Sequence, residues 1–143
     1  MRLSRIVRRS RREVCALAEA SVALTMSRAL VELPFSWIRP LFGVAGRETE
    51  HEPRDAEDRA RALEVGRAIA AAARYVPASP TCLPQSLAGR LMLKRRHVPT
   101  TTYLGVKKNA EGGIEAHAWL RAYDVIVTGE SVRTEYTSIA RFA

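Results

Sequence analysis

The sequence has few of the residues that mark disulfide-stabilised, membrane-spanning or metal-binding proteins. Only Cys15 and Cys82 are cysteines, and their contexts differ, so a disulfide framework is not indicated and free thiols are expected. The most apolar stretch, residues 14–33, is interrupted by charged side chains, which argues against a transmembrane helix and a secretory signal. We therefore expect a cytoplasmic protein.

Metal and phosphate motifs are missing as well. No close C-x-x-C or H-x-x-x-H spacing is present, and the chain has no glycine-rich phosphate loop and no nucleophile-elbow serine. The sequence therefore implies neither a metal nor a cofactor.

Positive charge is in excess and is concentrated at one end. The chain has 23 Lys and Arg against 15 Asp and Glu, and six of the arginines fall in residues 1–12. No groove-reading motif and no interleaved aromatic residues accompany this charge, so nucleic acid is not an expected partner. An anionic membrane surface, an acidic protein or solvent alone all remain open for the basic end.

The length of 143 residues suits one domain with an appendage. Residues 1–54 are predicted to form an N-terminal helical extension and connector, and residues 55–143 the main domain. Within the extension, apolar residues recur at helical spacing from Ile6 to Leu33, and Pro34 and Pro40 end or kink that helix.

Two further helices are predicted before any strand. One begins near Asp55, whose carboxylate can cap it, and is closed by Pro77 and Pro80. The next begins at Cys82, because Pro84 is tolerated in a first helical turn.

Short β-rich runs then cover residues 100–106, 114–123 and 125–128, with turns between them. Helices followed by strands indicate an α+β fold in which an antiparallel sheet packs on the cysteine helix.

Cys82 and His117 are the residues with the clearest capacity for chemistry. A helix N-terminus favours the thiolate, which is the nucleophilic form of cysteine, and Cys82 is predicted at such a position. Cys15 lies among small apolar residues and is interpreted as a core residue. His51 and His97 have solvated surroundings, whereas His117 lies in a predicted strand, where it can serve as the base.

An acidic group is expected to orient the imidazole. If the last hairpin turns at Tyr123 and Asp124, outward counting pairs His117 with Glu130, so their side chains share one face. Glu130 is the preferred third catalytic residue. Asp124, in the turn itself, is the alternative, because a single bulge would change the count.

Several segments together resemble the transglutaminase-like leader peptidases of lasso-peptide biosynthesis, known as B2 proteins or the C-terminal domain of B proteins. The matching segments are Thr81–Leu87, Lys94–Pro99, Tyr103–Val106, Ala116–Leu120 and Tyr136–Phe142. The resemblance extends from about Ala56 to Phe142. It implies a transglutaminase-like cysteine-protease core with Cys82 as nucleophile and His117 as base.

The resemblance also implies an activity and partners. The activity is proteolytic removal of the leader from a ribosomally synthesised precursor, and a separate cyclase then closes the ring. Many members have Arg where this chain has Gln85, and an Asp near Glu130. Because the first 55 residues do not resemble a winged-helix leader-binding domain, a separate leader-binding protein of the RRE type is implied.

Two other functions fit the same residues. A transglutaminase-type acyl transferase would use the same pair if an amine replaced water. A non-catalytic adaptor would dock through its basic N-terminal helix, with Cys82 and His117 as core residues.

Overall fold

The computed structural model describes residues 9–76 and 82–143. The arginines before residue 9 and the predicted helix stop at Pro77 and Pro80 lie outside the described residues. The helices are α1 (Arg11–Leu30), α2 (Phe35–Phe42), α3 (Ala56–Ala72) and α4 (Cys82–Arg95). The strands are β1 (Thr101–Lys108), β2 (Ile114–Ala122), β3 (Val125–Thr128) and β4 (Thr137–Phe142), with a 3₁₀ helix at Glu130–Glu135 between β3 and β4.

The helix starts follow local capping chemistry. Ser10 and Glu13 form a reciprocal capping box at the start of α1, and Asp55 accepts a hydrogen bond from the Asp58 N–H at the start of α3. The predicted cap at Asp55 is confirmed. α2 was not predicted, and it contains Pro40 in its interior. No helix in residues 9–76 or 82–143 is both long enough and apolar enough to cross a membrane.

The four strands form one antiparallel sheet in the order β3-β2-β1-β4. The three predicted β-rich runs correspond to β1, β2 and β3, whereas β4 and the 3₁₀ helix were not predicted. The α+β fold, with an N-terminal helix ahead of the segment that carries the sheet, is therefore confirmed.

α1 contributes to the main hydrophobic core. Its residues Ala16, Ala20 and Leu24 are buried in one cluster with side chains from α3, α4, β2 and β3. Glu19 of α1 also pairs with Arg96 just beyond α4, and the hydrogen bond from this guanidinium helps to hold the pKa of Glu19 below its ordinary value. The segments before and after the predicted boundary between residues 54 and 55 thus contribute to the same hydrophobic core.

A buried polar network joins α3 to the β2–β3 turn. The Tyr123 hydroxyl donates to Asp58 Oδ2 at 3.0 Å, and the Arg54 Nε–H lies 3.0 Å from the same oxygen. Burial by itself raises the pKa of Asp58, but the hydrogen bonds from Tyr123 and Arg54 outweigh it and leave the pKa below its ordinary value. The ionised carboxylate is therefore the form that stabilises the fold.

Asp58→Asn is expected to lower the free energy of unfolding by about 2 kcal/mol at neutral pH, because the hydrogen bonds lose their charged acceptor. Because the folded-state pKa of Asp58 is depressed, its contribution is complete above the unfolded-state pKa of about 4 and is lost as the pH falls further. Urea unfolding at several pH values checks both points. Asp124→Asn, at an exposed carboxylate, is the control, and an equal loss in both variants would contradict the prediction.

Candidate active site

Cys82 is the first residue of α4, as the sequence predicts. Its side chain is half-buried and its thiol is free. Pro84 lies in the first turn, where its missing N–H removes no hydrogen bond from the helix. The free backbone N–H groups and the positive end of the helix dipole therefore lie beside the thiol.

His117 lies near the middle of β2 and is half-buried. Its ring has aromatic neighbours, with centroid separations of 4.9 Å to Tyr136 and 6.2 Å to Trp119. Its Nε2 lies 3.4 Å from the carbonyl oxygen of Gly129. The ring is thus held among aromatic side chains and the backbone that follows β3.

α4 packs on β2 and β3 over a close contact. A Cβ added at Gly89 would lie 2.8 Å from Leu120 Cδ2, so a side chain there would force Leu120 to move. One turn earlier, the buried Ser86 hydroxyl lies 3.1 Å from the hydroxyl of Thr128. The N-terminal half of α4 therefore runs towards the end of β3.

His117 lies on a part of β2 that forms an open strand edge. Side chains alternate along β2, so His117 and Trp119 share the face opposite to Leu120, which packs on α4. β3 ends at Thr128, and beyond that residue β2 has no strand neighbour on this side within the described residues. The imidazole is therefore on the sheet face opposite α4, at a strand edge that β3 leaves open.

The β2–β3 hairpin has the predicted turn but not the predicted register. The turn at Tyr123 and Asp124 is confirmed. A register shift next to Leu120 then makes this residue pair with Thr128 and not with Val127. A bulge of this kind takes up one residue, so every pair counted further out along the hairpin changes.

The predicted pairing of His117 with Glu130 is wrong. The ladder stops at Thr128, and Glu130 opens the 3₁₀ helix. Its carboxylate lies 3.5 Å from Arg133 Nε, and its side chain is 64% exposed. The physical reason is the bulge together with the turn at Gly129, which directs the chain away from β2 before Glu130 is reached.

Asp124 lies at the far end of the hairpin from His117. Its carboxylate accepts a hydrogen bond from Arg59 of α3 at 2.9 Å. A strand rises about 3.3 Å per residue, so the turn is well beyond side-chain reach of the imidazole.

Gly129 and Tyr136, which both contact the imidazole, were not predicted as site residues. A glycine directly after a strand was the available signal for a left-handed turn, and Gly129 indeed has a φ of 82°. No local pattern could have shown that Tyr136, near the start of β4, returns to β2.

Cys15 is exposed on α1, so its interpretation as a core residue is wrong. The neighbouring Ala16 is the buried residue of that turn. Because both thiols are accessible to some degree, a chemical label meant for Cys82 needs a background in which Cys15 is replaced by Ser.

No group of three His, Cys, Asp or Glu side chains that could hold a metal ion occurs within residues 9–76 and 82–143.

Residues 29–141 match the family model described as the transglutaminase-like superfamily. This segment includes α2, α3, α4 and the sheet up to Arg141, the second-last residue of β4. No curated protein and no solved structure matches the chain.

Proposed function

We propose that this chain, which belongs to the transglutaminase-like superfamily, is a cysteine peptidase that removes the leader from a ribosomally synthesised lasso-peptide precursor. Cys82 is the proposed nucleophile and His117 the proposed base. The observation that carries the proposal is the position of Cys82 as the first residue of α4, together with a half-buried histidine, His117, on a strand that α4 packs against.

The proposed reaction has two steps. His117 takes the proton of the Cys82 thiol, and the thiolate attacks the carbonyl carbon of the last leader residue. The oxyanion is stabilised by backbone N–H groups at the start of α4. Collapse of this intermediate breaks the C–N bond, and His117 donates its proton to the leaving amine.

Hydrolysis then completes the cycle. His117 removes a proton from water, which attacks the thioester and releases the leader with a free carboxylate while the thiol is restored. The amine freed in the first step belongs to the core peptide, and a separate cyclase would join it to an acidic side chain. A separate leader-binding protein of the RRE type would present the precursor. Glu130 has no part in these steps, because its exposed carboxylate lies 3.5 Å from Arg133 Nε. Its predicted role as the third catalytic residue is tested by the Glu130→Gln variant described below.

The test is incubation of the protein with the precursor and leader-binding protein encoded by neighbouring genes, in H₂¹⁸O with an added primary amine. Mass spectrometry should show a leader that carries one ¹⁸O in its new carboxylate. A leader amide would indicate an acyl transferase. If neither product forms while the protein still binds its partners, the adaptor function is favoured.

A further inference from the structure

His117 has a backbone partner where a carboxylate is expected. Its Nε2 lies 3.4 Å from the Gly129 carbonyl oxygen, and a carbonyl can only accept a hydrogen bond. Nε2 must therefore carry the proton for this bond to form. In the neutral ring, Nδ1 is then left without a proton, and it is the atom that can take one from a thiol.

A side chain at residue 129 would not fit, so this residue can contribute only its backbone to the site. Gly129 has a φ of 82°, and a Cβ there would lie 2.8 Å from the Ala118 carbonyl oxygen and 3.1 Å from His117 Nε2. The backbone conformation and the space both require glycine. Within residues 9–76 and 82–143, no carboxylate forms a hydrogen bond with the imidazole.

Tyr136 holds the plane of the same imidazole. The two ring centroids are 4.9 Å apart, with an interplanar angle of 31°. Tyr136 is itself held by Lys107, whose Nζ lies 4.8 Å from the tyrosine ring centroid and 2.8 Å from a carboxylate oxygen of Glu135. Lys107, itself bound to Glu135, thus helps to hold the Tyr136 ring in the position where it contacts His117.

We propose that the third group of the site is the main-chain carbonyl of Gly129, which fixes the proton on Nε2 of His117, and that Tyr136 is the positioning residue for the imidazole plane. The inference rests on the proposed pairing of His117 with Cys82. It assigns the proton transfer from the thiol to Nδ1, and the imidazolium so formed donates from Nε2 to Gly129. A neutral dipole then orients the base in place of a charged carboxylate.

The first test needs no substrate. In long-range ¹H–¹⁵N spectra of histidine-labelled protein, at a pH where the imidazole is neutral, His117 should show a proton on Nε2 that exchanges slowly with solvent. The signals that vanish in His117→Gln identify this ring. Glu130→Gln should leave the spectrum unchanged. A proton on Nδ1, or loss of the Nε2 proton in Glu130→Gln, would overturn the proposal whether or not the protein cleaves any peptide.

The second test uses the cleavage assay. Tyr136→Leu should lower kcat by about tenfold or more with little change in KM, because the imidazole loses its orientation. Tyr136→Phe keeps the aromatic ring and should have a kcat close to that of the wild type. Tyr75→Leu, at an exposed tyrosine, is the matched control. Glu130→Gln should keep kcat within about twofold, whereas a fall of about a hundredfold would identify Glu130 as the orienting group instead. If the wild type itself is inactive, the proposed function fails, and the spectra still decide the inference.

Discussion

Cys82→Ala is expected to abolish cleavage of the precursor, and His117→Ala to lower kcat by at least about a hundredfold. The first variant removes the atom that bonds to the leader, and the second removes the group that transfers protons, a role typically worth about 10²–10⁴-fold. Because the two groups act as a unit, the double variant should be no slower than Cys82→Ala alone. Mass spectrometry of the released leader measures all three rates.

The controls separate chemistry from folding. Cys15→Ser should cleave at the wild-type rate, since its thiol is exposed on α1. In the Cys15→Ser background, a thiol probe at near-neutral pH should label Cys82 rapidly, and His117→Ala should slow that labelling. A His117→Ala variant that retains more than about a tenth of the wild-type rate would show that another base is used.

Leu24→Ala is expected to lower the free energy of unfolding by about 3 kcal/mol or more. Leu24 of α1 is fully buried in the main core, which it shares with side chains of α3, α4, β2 and β3. Buried Leu→Ala changes cost about 2–5 kcal/mol. This is a large fraction of the stability of a small domain, which is about 5–15 kcal/mol. Urea unfolding monitored by circular dichroism measures it.

Val22→Ala, two residues earlier on the exposed side of α1, should change stability by less than about 0.5 kcal/mol. A fragment of residues 55–143 tests the predicted domain boundary, and it should lack a cooperative transition because the partners of Leu24 would be exposed. Cooperative unfolding of that fragment would show that α1 is dispensable.

The features that depend on short stretches of sequence could be predicted. The start of α4 at Cys82 follows from Pro84 in the first turn, and the start of α3 follows from the side chain of Asp55. The turn at Tyr123 and Asp124 and the strands on each side of it follow from alternation and turn chemistry. Each of these depends on a few neighbouring residues.

The environment of His117 could not be predicted in the same way. Side chains alternate with a period of two, so one bulged residue beside Leu120 changes every pair further along the hairpin, and the choice of Glu130 depended on that count. Tyr136 reaches His117 only because β4 returns to pair with β1, a long-range contact with no local signature.

α2 also shows which features could not be predicted from the sequence. Ile38 and Phe42 of this apolar segment pack against the rest of the protein, whereas Trp37 is 72% exposed. Which side chains face inward depends on the helix, and Pro34 and Pro40 hide that helix in the sequence.

The unequal burial of the two tryptophans gives the protein an internal optical probe. Trp119 is buried, stacks on Tyr103 at 5.5 Å and lies next to His117, whereas Trp37 emits from a solvated position. Trp37→Phe would leave Trp119 as the only indole fluorophore. Its quantum yield would then respond to the charge of the neighbouring imidazole and to anything that enters beside it, so events at the site could be followed in real time without a label.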